Sequence, residues 1–518
     1  MTSPLPSGQP RIERMTMRGI VKRFPGVLAV NGVDFDAIAS GAGGEIHALL
    51  GENGAGKSTL MKILYGLYRA DQGTIQLDGA NAGIRSPQDA IRSGIGMIHQ
   101  HFMLVPSLTV AENIALGMKS ARGALLDLDS IRVRVRELSE RYHLRVDPDV
   151  PIWQLAVGEQ QRVEILRALV KGAALLILDE PTAVLTPGEV DDLFRVLRQM
   201  REDGHLLIFI SHKLHEVLAI SDRITVLRDG QRIDTIPAAS ATKLMLAQMM
   251  VGRPVVLEYD RPPANPGAER LRLDGVSALS DRGTPGLRNV SLHVRSGEIV
   301  GVAGVSGNGQ QELAQVIAGL RRTTAGTLRI SDHDVTNRPS TVIQRLGAAY
   351  IPEERMIDGV IKDFTVAENL ILHDHRRPPF ARGGFFMNFA AIASACRTAI
   401  RDYEIKTPGA DTLIKSLSGG NIQKLVLARE LARSPQVLIA AQPTRGVDIG
   451  ASEYIHRRLL DQRAHGTAIL LISEDLDEIL ALSDRILVMY EGQIVGEMPR
   501  DGVDLRRLGA LMAGAKTT

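Results

Sequence analysis

The strongest constraint on how this chain folds is that its sequence is written twice. Thr109–Asn113 (TVAEN) recurs as Thr365–Asn369, an offset of 256 residues. Further on, Ile220–Ile224 (ISDRI) matches Leu482–Ile486 (LSDRI) at an offset of 262, and both are followed by a short apolar run and a Gly-Gln pair, Gly230-Gln231 and Gly492-Gln493. A repeat on this scale restricts the fold to two copies of one domain type, and 518 residues leaves each copy ample length to bury a core. The stretch Arg253–Arg270 is rich in proline and charge and has no hydrophobic period, so it reads as an exposed connector. The expected division is a first domain over 11–252, a linker over 253–270 and a second domain over 271–511.

Within each half, β-rich runs such as Leu175–Glu180 (LLILDE) and His205–Ser211 (HLLIFIS) alternate with helical stretches such as the one from Val163. That alternation predicts α/β units around a largely parallel sheet. Charge is nearly balanced, 61 Lys+Arg against 59 Asp+Glu, which disfavours the broad basic surface of a nucleic-acid binder. The single cysteine, Cys396, excludes an internal disulfide and a multi-cysteine metal cluster, and its Ala-rich setting predicts a packing position on a helix. The N-terminal stretch MTSPLPSGQPRIER has no apolar targeting region and no run of about 18 apolar residues occurs, so the chain is expected to be cytosolic, docking on membrane partners if at all.

The first half carries a phosphate-binding motif in the context it requires. Gly51, Glu52, Asn53, Gly54, Ala55, Gly56, Lys57 and Ser58, followed by Thr59, fit G-x-x-x-x-G-K-[ST] between the apolar run IHALL and the helical run TLMKILYGL. Such a loop wraps phosphates in backbone N–H groups at a helix N-terminus, Lys57 neutralises the β- and γ-oxygens, and Ser58 is a ligand for Mg²⁺. Downstream, an apolar strand ends in Asp179-Glu180, at the carboxyl edge of the sheet where open α/β folds bind ligands. Asp179 is the expected Mg²⁺ ligand, direct or through water, and Glu180 the residue that orients or deprotonates the attacking water.

With Gln100 after GMIH, LAVGEQQRVEILRAL from Leu155, Asp179-Glu180 and Ser211-His212 in this order, both halves resemble the ATPase domains of ABC proteins. The resemblance implies two tandem P-loop ATPase domains, each a RecA-like α/β core with a β subdomain and a helical signature subdomain. It also implies ATP and Mg²⁺, with Gln100 sensing the metal and the membrane subunit, His212 contacting the γ-phosphate and Phe24 stacking on adenine.

Aligned on the first half, the second has lost its chemistry. Gly304–Gln311 replaces the P-loop, with Gln310 and Gln311 where Lys57 and Ser58 stand. Glutamine brings no cation to the phosphates and is a poor substitute for a compact hydroxyl ligand. Ala441 and Gln442 stand opposite Asp179 and Glu180, Ser473-Glu474 opposite Ser211-His212, and Glu353 opposite Gln100. No aromatic residue between Ser277 and Leu287 takes the part of Phe24. The signature shows the reverse pattern: Leu417-Ser418-Gly419-Gly420-Asn421 is intact, whereas Leu155-Ala156-Val157-Gly158-Glu159 has lost its hydroxyl.

ABC ATPases close head-to-tail, so the resemblance implies one complete site, built from Lys57, Ser58, Gln100, Asp179, Glu180 and His212 with Ser418, Gly419 and Gly420, and one degenerate site. Two halves in one chain resemble the ATPases of importers for simple sugars and nucleosides; Ile98–Gly117, Gly304–Leu313, Tyr350–Arg355 and Ala440–Asp448 look closest to the nucleoside branch. That implies two membrane permease subunits, a substrate-binding protein reached through them, one copy of this chain per transporter, and a peripheral place on the inner face of the cell membrane. The segments after Gln100 and Glu353, up to each signature, are the expected docking surface. The competing expectation, a tandem ATPase acting on ribosomes or nucleic acid, lacks the basic character and zinc cysteines it calls for.

Overall fold

The computed structural model describes residues 11–39, 43–99, 102–118, 127–182, 185, 187–211, 213–254, 264–512 and 514. The chain divides into two compact units, Met1–Val255 and Val256–Thr518. The second begins its sheet at Glu269, so Glu269 and Arg270, expected in the linker, are already strand. Of that linker, residues 255–263 lie outside the described residues.

Each unit has the same two sheets. In the first, a six-stranded sheet runs in the order Gln231–Pro237, Arg223–Arg228, Glu45–Leu50, Leu206–Ile210, Leu175–Asp179, Ile95–Ile98, and every pairing but the first is parallel. Its central strands are wholly buried and mostly apolar, as parallel strands covered on both faces must be, with Glu45, His47 and Asp179 the polar exceptions in them. A four-stranded antiparallel sheet, Val27–Ile38, Arg14–Phe24, Gln72–Leu77, Ala80–Asn81, packs against it through Met15, Met17, Ile20 and Phe35, which meet Leu60, Leu64, Ile177 and Ile208 in one core.

The second unit repeats this with Gln493–Pro499, Arg485–Tyr490, Ile299–Ala303, Ala468–Ser473, Val437–Ala441 and Ala348–Ile351. The period-two rule is visible inside its strands. Val437, Ile439 and Ala441 enter the core shared with the antiparallel sheet, while Leu438 and Ala440 face the core containing Ile422, Leu425 and Cys396. Cys396 is fully buried on the helix Phe389–Asp402, the packing role its setting predicts.

The repeated words in the sequence are repeated bonds. In TVAEN, the Thr109 hydroxyl accepts from the Glu112 amide at 3.3 Å and the Glu112 carboxylate accepts from the Thr109 amide at 2.8 Å, a reciprocal helix cap. Asn113, fully buried, accepts from the Val105 amide and donates to the carbonyls of Val105, Leu108 and Thr109, locking the loop that enters the helix. Thr365, Glu368 and Asn369 rebuild the cap and the lock. In the second word, Asp222 accepts from the Ile46 amide at 2.9 Å and pairs with Arg201, and Asp484 accepts from the Ile299 amide at 2.9 Å and pairs with Arg463. Each aspartate therefore ties down the strand that leads into its unit's glycine-rich loop.

Candidate active site

The Glu45–Leu50 strand, near the middle of its sheet, delivers the chain to Gly51 at the carboxyl edge, and the helix Lys57–Leu64 carries it away. Two glycines make the turn possible. A Cβ on Gly51 would stand 2.4 Å from the Leu227 carbonyl oxygen, and Gly56, at φ 98°, adopts the left-handed conformation that caps the helix. Lys57, only 7 % exposed, donates to the carbonyls of Gly51 at 2.6 Å and Glu52 at 3.0 Å. Burial pushes its ammonium down from the ordinary lysine value, while the charges of Glu180, Asp179 and Glu52 pull the other way.

Asp179 ends the Leu175–Asp179 strand and is buried. Its carboxyl is pushed up by burial and by the neighbouring charge of Glu180, against the opposing charge of Lys57 and a hydrogen bond from Ser58. The structure thus brings Lys57, Ser58, Asp179 and Glu180 together. Glu180 turns out of the strand at φ 50°, a left-handed conformation rare outside glycine, with its amide bonded to the Ile210 carbonyl at 2.9 Å. Ser58 and Asp179 offer the hard oxygen donors that Mg²⁺ takes, so the donor set fits that ion.

Phe24 ends the Arg14–Phe24 strand and is 36 % exposed, so it is no core phenylalanine. Its ring meets Tyr68 edge-on at 5.4 Å, and Lys22 Nζ lies 5.7 Å from its centroid. Gln100 and His212 lie outside the described residues.

Sequence reasoning passed over the groups that brace Ser211 and Lys213. Buried Glu216 accepts from Thr182 Oγ1 at 2.6 Å and Ser211 Oγ at 3.0 Å, and Lys213 Nζ lies 3.3 Å from its other carboxylate oxygen. The signal was available: Thr444, Ser473 and Glu478 recur at matching positions, and Thr444 donates to Glu478 at 2.8 Å. Tyr68, the ring beside Phe24, was likewise unmarked, because its contact forms only when the chain folds back.

In the second unit the frame persists without the chemistry. Gly309 caps the helix Gln310–Ile317 at φ 103°, and Gln310 folds back to donate to the Val305 carbonyl at 3.0 Å. Gln442 keeps the left-handed turn of Glu180, at φ 48°, with its amide bonded to Ile472 at 2.7 Å. Glu353 is pushed up by burial, and although Arg445 opposes the shift, the charges of Glu474, Glu354 and Glu312 add to it. Several carboxylates therefore gather around a loop that has lost its lysine.

The two signature segments differ in the same physical terms. Ser418, exposed, precedes the helix Gly419–Leu431, and its hydroxyl accepts from Asn421 at 2.8 Å; Gly419 and Gly420 begin the first turn. At the matching helix Val157–Val170, Ala156 brings no hydroxyl and its amide is taken by the Glu159 carboxylate at 2.9 Å. A carboxylate thus bonds the amide that precedes the first-unit helix, whereas a serine hydroxyl stands at the same place in the second.

Comparisons with known proteins agree with this fold. The family model described as ABC transporter matches residues 39–183 and 287–445. The chain is 48% identical to the glucose import ATP-binding protein TsgD13 of Haloferax volcanii, with 96% of each chain covered. It is 45% identical to the nucleoside import ATP-binding protein NupA of Lactococcus lactis, covering 96% of this chain and 97% of that protein. It is 43% identical to the guanosine import ATP-binding protein NupO of Bacillus subtilis, again over 96% and 97%. Among solved structures, an archaeal ribosome recycling factor crystallised with a ribosomal stalk protein covers 93% of this chain and 90% of its own at a TM-score of 0.60, and at 20% identity that likeness is one of fold.

Proposed function

The chain is an ATPase of the ABC transporter family, and we propose that it energises an importer of nucleosides or simple sugars through one working ATP site. The observation that carries this reading is the unequal sharing of chemistry between two halves with one fold. Lys57, Ser58, Asp179 and Glu180 converge in the first unit, and their counterparts Gln310, Gln311, Ala441 and Gln442 cannot do the same work.

The residues divide the task as follows. The backbone of Gly51–Gly56 and the Lys57 ammonium hold the phosphates, with Phe24 and Tyr68 the aromatic platform for the base. Mg²⁺, when bound, neutralises charge on the β- and γ-oxygens, and Ser58, Asp179 and Gln100 are the residues to hold it. Glu180 positions the attacking water and takes its proton, and His212 contacts the γ-phosphate. Ser418, Gly419 and Gly420 complete this site from the second half, while Ala156 and the Gln310 loop make up a site that turns over no ATP. One hydrolysis per closure is the expected stoichiometry. The partners in this reading are two membrane permease subunits and, through them, a substrate-binding protein, with the chain peripheral on the cytoplasmic face; among the described residues no helix is long and apolar enough to cross a membrane. The named relatives import both glucose and nucleosides, so both solute classes belong to the proposal.

The test is a pair of substitutions at matched positions. Glu180→Gln should abolish ATP hydrolysis by the full chain, and Gln442→Glu should add none. A Glu180→Gln protein that keeps half its rate would sink the single-site reading.

A further inference from the structure

In the second unit two arginines clasp each other's segments, and the chemistry above leaves them unused. Arg355 follows Glu353-Glu354, just after the Ala348–Ile351 strand. Its Nη1 donates to the Arg445 carbonyl and its Nη2 to the Gly446 carbonyl at 3.0 Å. Arg445 returns the contact, its guanidinium paired with Glu353 and 3.3 Å from Glu354 Oε1. Four side chains and two carbonyls thus join the counterpart of the Gln100 loop to the segment that follows Gln442.

The clasp also reaches the signature. A Cβ on Gly419 would stand 2.8 Å from Arg355 Nη2 and 3.4 Å from the Gly446 oxygen. An arginine tip ordinarily swings aside at little cost, but this one is held by two carbonyls, so a side chain at 419 would displace it from both. Gly420 is crowded by the same segment, with its Cβ position 3.2 Å from Ala451 Cβ and 3.4 Å from Asp448 Oδ2. In the first half, Phe102 and Ala183 stand where Arg355 and Arg445 do, and Val157 stands where Gly419 does. The clasp and the glycine are present together in one half and absent together from the other.

We propose that Arg355 and Arg445 are positioning residues for hydrolysis, binding Glu353-Glu354 and residues 445–448 to Gly419 so that the half without its own chemistry holds Ser418-Gly419-Gly420 in a preset geometry. Positions that serve catalysis in the first half, at Gln100 and beyond Glu180, serve alignment in the second. The proposal rests on the composite-site reading above. Neither arginine touches the nucleotide in this scheme; both act through the signature, whose misplacement slows the chemical step without loosening ATP on the first unit's loop.

The experiment measures kcat, KM for ATP and thermal melting of the full chain in five variants: Ser418→Arg, Arg355→Ala, Glu353→Arg, Arg445→Glu, and the last two combined. The expected result is a kcat roughly ten- to a hundredfold lower in Arg355→Ala and in each charge reversal, with KM within about twofold of the parent and recovery of kcat when the reversals are combined. An undiminished kcat in Arg355→Ala overturns the proposal, as does a parallel collapse of kcat, KM and melting temperature with no recovery in the combined variant. Ser418→Arg separates the two readings. Loss of activity there beside a normal Arg355→Ala removes the clasp alone, whereas full activity in Ser418→Arg removes the composite site and the clasp with it.

Discussion

At the scale of single residues, burial sets the character of the reactive groups. Lys57 and Asp179 are both buried, and each is pushed toward its neutral form by desolvation while the other's charge resists. They depend on each other, which is why losing lysine and aspartate together from the second half leaves its core intact. The lone thiol illustrates burial dominating over nearby charge: Cys396 is 0% exposed, and burial pushes it up to about 11. Because the thiolate is the reactive species, native protein at pH 8 should react with a thiol reagent at least about tenfold more slowly than denatured protein, in which one thiol titrates fully. Equal rates would show that the helix carrying it opens freely.

Among elements, the repeated TVAEN caps allow a direct comparison of local and non-local bonding. Thr109→Ala removes one cap and should cost about 1 kcal/mol of stability by denaturant unfolding. Asn113→Ala removes a fully buried side chain that bonds four backbone groups and should cost about 1–3 kcal/mol, chiefly because the Val105 amide loses its acceptor, whereas the carbonyls of Val105, Leu108 and Thr109 keep the amides of Leu108, Ile152 and Asn113. The left-handed turns at Glu180 and Gln442 belong to this scale too. Both halves keep the turn although only one keeps the carboxylate, so the turn is a property of how the strand ends and the carboxylate an addition to it. The elements themselves were legible beforehand: the runs at Leu175 and His205 are strands, and the stretch at Val163 lies in a helix. Only edges moved, as at Glu269, where a charged residue pairs with Arg295 because backbone bonds and not side chains place it in the sheet.

For the whole molecule, among the described residues each unit has buried clusters of its own. Heat should therefore unfold the chain in more than one step. In calorimetry, ATP at a hundredfold excess over Kd should stabilise a transition by about 2.7 kcal/mol; Lys57→Ala should abolish that shift and Gln310→Ala should leave it in place. By itself the sequence determined the doubling, the α/β order, the glycine-rich loop and the loss of chemistry from one half, because each is carried by residue type at fixed spacing. The repeat marks Glu216 as a recurring position without showing its bonds to Ser211 and Thr182, and nothing in the sequence reveals Tyr68 beside Phe24 or Arg355 gripping the carbonyls of residues 445 and 446. Those contacts join segments up to about 90 residues apart, and an arginine in a sequence looks the same whether solvent or a backbone carbonyl receives it. Only the folded backbone decides which carbonyl is within reach.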